Sequence, residues 1–134
     1  MTPPYSVGES IRVVETRFGK IGMLICADSF LDDLLTKMKE KHPDVLLIPY
    51  GWAADEGDWP DHGKELKQVV QNAARKVGCP VIGTDLIGQV SDGPWRGKVY
   101  GGQSVAADAA GNILAQSKDR DRDITIVSLT LHQS

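Results

Sequence analysis

The chain lacks the features that mark secreted, membrane and nucleic-acid-binding proteins. Only two of its 134 residues are cysteines, which is too few for a disulfide scaffold. Both lie in apolar segments, as expected in a reducing cytoplasm. No apolar run approaches the ~20 residues that cross a bilayer, and the N-terminus has no signal-peptide pattern. The formal net charge of -3 gives no basic excess for a nucleic acid. We therefore expect a cytoplasmic protein with no membrane and no nucleic-acid partner.

Clustered metal ligands are also scarce. The three histidines, His42, His62 and His132, are far apart and show no ligand spacing. Residues 119–123 alternate acid and base, unlike a calcium loop. We expect neither a metal nor another cofactor.

What the chain does have is the composition of one soluble domain. Hydrophobic residues make up 41% and charged residues 25%, and 134 residues fit a single domain, 1–134, with an extended arm at 1–8. Apolar periodicity predicts helices over 31–41 and 63–77, the second ended by Gly78. Short apolar or alternating runs predict the strands 10–18, 21–26, 45–48, 81–84, 103–108, 113–116 and 124–129.

The run Ile21–Cys26 is the most informative of these segments. It ends in a thiol and is followed by an acid and a helix, which places the sulfur at the carboxyl edge of a strand, where α/β folds bind ligands. A lone cysteine in this position is also typical of a small buried hydrophobe. Cys79, before a proline at a strand start, is interpreted in that second way.

Two motifs resemble the carbon–nitrogen hydrolase (nitrilase/amidase) family. The stretch 19–28, Gly-Lys-Ile-Gly-Met-Leu-Ile-Cys-Ala-Asp, resembles its nucleophile segment. The stretch 100–114 resembles its glycine–x–serine strand, followed by an aspartate–x–x–glycine turn. Between them, 43–49 and 67–75 are similar to the family's next strand and second long helix. The order and spacing of the two motifs make the pair more specific than either motif alone.

The resemblance implies both a fold and a chemistry. The fold would be α/β, half of the family's αββα sandwich, with one mixed sheet of about six strands and helices on one face. In the family's mechanism a cysteine attacks an amide or nitrile carbon, a glutamate acts as base and a lysine stabilises the intermediate. The resemblance assigns Cys26 as nucleophile, the backbone N–H of Ala27 as oxyanion donor, and Trp52 and Asp28 as substrate-binding residues.

The departures from the family pattern concern the rest of the catalytic set. Residues 30–33, Phe-Leu-Asp-Asp, stand where many members have arginine-phenylalanine-proline-glutamate. In the family the catalytic glutamate and lysine lie well upstream of the cysteine. Before Cys26 this chain offers only Glu9, Glu15 and Lys20, none at a matching position. We therefore expect the thiol position without its usual base and cation.

Three functions follow as alternatives. The chain could be the thiol-bearing half of a split amidase or nitrilase, acting on a small amide or nitrile with a separate N-terminal-half chain. It could be a non-enzymatic, self-associating or ligand-binding module derived from the family. It could be a stand-alone thiol enzyme with a new base, such as Glu9 or His62. A half sandwich leaves one apolar sheet face open, so we expect a homodimer or that second chain as partner.

Overall fold

The computed structural model of the protein describes residue 8 and residues 10–131. Most of the predicted arm, with Glu9 and His132, lies outside the described residues. The described part forms two α-helices, α1 (Asp32–Glu40) and α2 (His62–Val77), and two 3-10 helices, Cys26–Phe30 and Glu56–Asp58. Its strands are β1 (Val13–Thr16), β2 (Gly19–Met23), β3 (Val45–Tyr50), β4 (Ala53–Ala54), β5 (Val81–Asp85), β6 (Ile87–Gln89), β7 (Val99–Gly101), β8 (Val105–Ala107) and β9 (Ile113–Gln116).

Six strands form one mixed sheet in the order β1-β2-β3-β5-β8-β9. The central strands β2, β3 and β5 are parallel, because α1 and α2 provide the crossovers between them. The outer strands β1, β8 and β9 pair antiparallel. This sheet confirms the predicted α/β fold.

Both helices cover the same face of the sheet. Each is amphipathic and has basic side chains in its last turn, and Gly78 ends α2 with a left-handed backbone (φ +80°). Leu46, Ile48 and Tyr50 of β3 point toward the helices and are buried in the core. From α1 and α2 the core receives Leu35, Met38, Leu66, Val70, Ala73, Ala74 and Val77.

The opposite face of the six-stranded sheet, which we call the open face, has large apolar side chains in contact with solvent. Met23 and the nearby Ile25 are 57% and 63% exposed, and Val14 of β1 is exposed as well. Strand alternation also places Leu47 and Ile82 on this side, where both are half-buried.

Three features differ from the sequence-based expectations. Strand β2 ends at Met23, so Cys26 begins a 3-10 helix instead of ending a strand. A second sheet, β4-β7-β6, forms from residues for which the sequence predicts no strand. The strand predicted over 124–129 is wrong for the described chain: these residues pair with no described strand, and strand formation depends on such pairing.

No helix in the described ranges is long and apolar enough to cross a membrane.

Candidate active site

Cys26 lies at a sharp turn between the end of β2 and α1. Its backbone is left-handed, with φ +45°, a conformation that costs a residue with a β-carbon about 1–2 kcal/mol. The turn gives way at once to the 3-10 helix Cys26–Phe30. The side chain is half-buried. A strained turn that presents a nucleophilic side chain between a strand and a helix is a recurrent arrangement in hydrolases.

A buried serine, Ser29, holds the turn at Cys26 in place through two hydrogen bonds. Ser29 is only 1% exposed, and its Oγ lies 2.7 Å from the Cys26 carbonyl oxygen and 2.7 Å from the Tyr50 hydroxyl. The carbonyl can only accept, so Ser29 donates to it and Tyr50 donates to Ser29. Burial raises the pKa of Tyr50 to about 12, which keeps its hydroxyl protonated as this arrangement requires.

The predicted site residues Ala27 and Asp28 lie in the same turn. Ala27 is exposed, and its N–H belongs to the first turn of the 3-10 helix, where N–H groups have no acceptor within the helix. Asp28 accepts a hydrogen bond from the N–H of Ile25 at 3.0 Å through Oδ2. Through this hydrogen bond, Asp28 stabilises the backbone just before Cys26.

Trp52, the other predicted site residue, joins several elements around the turn. Its ring stacks on His62, with centroids 5.2 Å apart, and meets the rings of Phe30 and Tyr50 edge-on. Its Nε1 donates to the His62 carbonyl at 3.1 Å. Since Phe30 ends the 3-10 helix that begins at Cys26, Trp52 connects the turn of the thiol to the start of α2.

A half-buried carboxylate holds the Trp52 backbone in place. Asp85, at the end of β5, accepts from the Trp52 N–H at 2.8 Å and from the Gly101 N–H at 3.3 Å. Burial raises the pKa of Asp85 to about 6, although these hydrogen bonds and one from Leu86 act in the opposite direction. The Asp85 side chain therefore joins β5 to Trp52, just after β3, and to β7 behind the site.

The two cysteines differ in their environments. Cys79 is buried, and that burial, with Asp44 nearby, raises the pKa of its thiol to about 12. A thiol with such a pKa is protonated and unreactive at neutral pH. Cys26, in contrast, is partly accessible at a turn.

The other candidate catalytic groups do not contact the Cys26 thiol. Lys20 lies 4.0 Å from Glu15 at the far end of β2, about 20 Å from Cys26 along the strand. His62 Nδ1 lies 3.2 Å from Glu65 Oε2, behind the Trp52 ring. Within residues 10–131, no carboxylate, imidazole or ammonium group is hydrogen-bonded to the Cys26 sulfur. The described chain thus places a nucleophile at a turn without a base beside it.

An open hollow of about 450 Å³ lies beside the turn, between the 3-10 helix and α2. Its wall combines aromatic and aliphatic surface with amide and carboxylate groups, a mixture suited to a small polar ligand. Its lining residues are Ser29, Phe30, Trp52, Glu65, Gln68, Val69 and Asn72.

Sequence reasoning missed Ser29, Tyr50 and Asp85. Serine and tyrosine near a strand end carry no distinctive spacing, and their contact spans 21 residues of sequence. Asp85 had one usable signal: it is an acid directly after the apolar strand 81–84, at the same sheet edge as Cys26.

Known proteins resemble this chain over most of its length. Two plant N-carbamoylputrescine amidases match 90% of it: the one from Arabidopsis thaliana at 25% identity and the one from Solanum tuberosum at 23%. The chain covers 42% and 41% of those two proteins. It therefore spans about two-fifths of the length of the curated relatives it matches.

Solved structures show the same fold. A carbon-nitrogen hydrolase from Helicobacter pylori G27 superposes with a TM-score of 0.73 at 22% identity, over 88% of this chain and 43% of that one. An amidase from Nesterenkonia sp. AN1 gives 0.65 at 19% identity, over 86% and 40%. That structure is of a glutamate-to-glutamine mutant of the amidase, with the acetamide moiety of fluoroacetamide covalently added at its active-site cysteine.

The sequence profile of one family matches residues 1–134, the whole chain. The description of that family is carbon-nitrogen hydrolase. With the mixed sheet, the turn at Cys26 and the amidase relatives, this match shows that the chain belongs to the carbon-nitrogen hydrolase family.

Proposed function

We propose that Cys26 is the nucleophile position of an amide-hydrolysing site that is incomplete in this chain. The observation that carries the proposal is the left-handed turn that presents a half-buried thiol at the end of β2, braced by Ser29 and Asp28. The amidase relatives favour an amide over a nitrile as substrate class.

The reaction needs two steps at the sulfur. The thiolate attacks the amide carbon, the C–N bond breaks, and the amine leaves with a proton, which gives a thioester. Water then attacks the thioester, and the carboxylic acid and the thiol are released. The Ala27 N–H is the one donor at the turn that we assign to the developing oxyanion.

Proton transfer and charge stabilisation must come from outside the turn. General acid–base catalysis contributes roughly 10²–10⁴-fold, and one lost oxyanion donor costs about 10²–10³-fold. The nearest upstream candidates, Glu15 and Lys20, pair with each other at the other end of β2. The chain alone is therefore expected to react through its sulfur but not to turn over amides.

A second candidate function is a binding module without catalysis. The hollow between the 3-10 helix and α2 supports it, because it has the lining of a small-ligand site and does not need a base for Cys26. Under this alternative, ligand affinity would be unchanged by Cys26→Ala.

Ammonia release from simple aliphatic amides tests the proposal on the purified 134-residue chain. We expect the chain to show no turnover above that of Cys26→Ala. Iodoacetamide should nevertheless alkylate Cys26 stoichiometrically. The matched control for the alkylation is Cys79→Ala, which should be alkylated to the same extent. Turnover at ordinary enzyme rates that Cys26→Ala abolishes would show a stand-alone thiol enzyme. A Cys26 that resists alkylation in the folded chain would refute its assignment as nucleophile.

A further inference from the structure

The carbonyl group of Cys26 and the N–H group of Ala27 belong to the same peptide unit. This unit is trans, because the only cis peptide bond among the described residues is Trp59–Pro60. In a planar trans peptide the C=O and the N–H point in opposite directions. A contact that holds the Cys26 carbonyl therefore also sets the direction of the Ala27 N–H, the group assigned above to the developing oxyanion.

The Cys26 carbonyl points toward the core. It accepts a hydrogen bond from the Ser29 hydroxyl at 2.7 Å, and Ser29 is only 1% exposed. The Ala27 N–H consequently points away from the core, and Ala27 is exposed to solvent. In the part of the chain that the structure describes, no backbone carbonyl accepts from that N–H. The oxygen end of this peptide is thus anchored in the protein, while its N–H end faces the side from which a substrate approaches.

A second buried hydroxyl holds the first. Tyr50 is the last residue of β3, the strand next to β2, and its hydroxyl lies 2.7 Å from Ser29 Oγ. Its ring meets the Trp52 ring edge-on, with centroids 6.1 Å apart. Because Tyr50 donates to Ser29, the Ser29 proton is directed to the Cys26 carbonyl. Successive hydrogen bonds that run in one direction polarise one another, which makes the N–H of the last peptide a stronger donor.

We infer that Ser29 and Tyr50 are positioning residues for the oxyanion donor of this site: their hydroxyls hold the Cys26–Ala27 peptide so that its N–H faces the carbonyl oxygen of an acylating substrate. The inference rests on the function proposed for Cys26, because the donor matters only if the sulfur attacks a carbonyl carbon. It also accounts for the left-handed backbone at Cys26, since strain of this kind persists only where surrounding contacts hold it.

Two reactions of the same sulfur test the inference, because only one of them forms an oxyanion. With p-nitrophenyl acetate, the Cys26 thiolate attacks the ester carbon, a C–S bond forms, and the C–O bond breaks to release p-nitrophenolate, which leaves as an anion without a general acid. With iodoacetamide, the thiolate displaces iodide from a saturated carbon. Both reactions need the thiolate, so the ratio of their rates isolates the stabilisation of the oxyanion.

In the purified chain, Ser29→Ala should lower the acetylation rate at least about 10-fold, a part of the roughly 10²–10³-fold that a lost oxyanion donor costs, and leave the alkylation rate unchanged. This variant also leaves the buried Tyr50 hydroxyl unpaired, which destabilises the fold. The double variant Ser29→Ala/Tyr50→Phe leaves neither hydroxyl unpaired, so it should fold and show the same change in ratio. The matched control is Ser117→Ala, just after β9, which removes a hydroxyl that accepts from the Ser104 N–H at 2.7 Å and should change neither rate.

The Ala27 amide reports the same effect without any reaction. A hydrogen bond to the Cys26 carbonyl draws electron density from the Ala27 nitrogen, so the nitrogen chemical shift of this amide should move in the double variant and not in Ser117→Ala. A wild-type Cys26 that resists both reagents would refute the proposed function, and the inference with it. If the wild type reacts with both reagents, an unmoved Ala27 shift, or Ser29 variants that change the two rates equally or not at all, would overturn the inference alone.

Discussion

At the scale of single residues, the site depends on how each polar side chain is shielded from water. Cys26 and Cys79 carry the same thiol, yet one lies at an accessible turn and the other in the core. Asp28 and Asp85 carry the same carboxylate, yet Asp28 stabilises one local turn, whereas Asp85 joins β5 to Trp52 and to β7. Amino-acid composition alone does not predict which cysteine is accessible or which carboxylate joins distant parts of the chain.

Thiol chemistry should separate the two cysteines in the folded chain. Cys26 should react with a disulfide reagent at pH 8, whereas Cys79 should react only on unfolding, because its pKa of about 12 leaves almost no thiolate. Absorbance of the released thiol reports both phases. Cys26→Ala should remove the first phase and Cys79→Ala the second. A Cys79 that reacts first in the native protein would contradict the burial described above.

Asp85 should give the chain a pH-dependent stability of defined sign. Its folded pKa of about 6 lies above the ordinary value of 3.8 for an aspartate, so the folded state binds the proton more tightly than the unfolded state. The stability of the wild type relative to Asp85→Asn should therefore fall as the pH rises from about 4 to about 6 and then stay level. Urea unfolding at several pH values measures this difference, with the exposed Asp92→Asn as control. A relative stability that rises over this interval would contradict the assignment.

At the scale of elements, close side-chain packing holds the loop between β3 and α2, residues 51–61, in place. Trp59 is buried against β7, and its Nε1 donates to the Val99 carbonyl at 3.1 Å. A β-carbon added at Gly101 would overlap the Trp59 ring. Arg120 links the same loop to the segment after β9, through Glu56 at 2.9 Å and Asp119 at 2.8 Å.

Gly101→Ala should therefore loosen this loop. The added methyl group displaces the Trp59 ring, and overpacking of this kind costs about 1–3 kcal/mol. Urea unfolding should show the loss, and tryptophan fluorescence should show the displaced ring. Gly57→Ala is the matched control, because a β-carbon there meets no atom within 4 Å. Equal stabilities of the two variants would argue against the packing of Trp59 on β7.

The helices and the main sheet could be predicted from the sequence because their signals are local. The apolar periodicity of α2 and its glycine cap gave its end at Val77, and the apolar run at Val45 marked β3. What escaped prediction depends on distant partners. Strands β4, β6 and β7 are only two or three residues long and exist through pairing with one another, whereas residues 124–129 have strand propensity but pair with no described strand. The thiol could be located from its motif, but the contact between Ser29 and Tyr50 that shapes its turn could not.

At the scale of the whole molecule, the chain has one layer of helices on one sheet, and the other side of the sheet is apolar. Fifteen buried residues form the core cluster, all between the sheet and the helices. The open face has no such cover, and exposed apolar surface of this kind marks an interaction site. The homodimer expected from the sequence would cover this face with a second sheet.

Heating should reveal this dependence on a partner. Since association stabilises only the folded chain, the unfolding midpoint should rise with protein concentration. Calorimetry over a hundredfold range of concentration measures the rise. A concentration-independent midpoint in the wild type would mean that the monomer is the stable unit.

The left-handed backbone at Cys26 has a consequence for how an inactive form of this protein should be made. Alanine at position 26 keeps the β-carbon and with it the steric penalty of φ +45°. Glycine removes both the sulfur and the penalty, so Cys26→Gly should be more stable than Cys26→Ala by about 1 kcal/mol. The alanine variant therefore keeps the backbone strain of the native turn in a sulfur-free protein. The difference in stability between the alanine and glycine variants measures that strain.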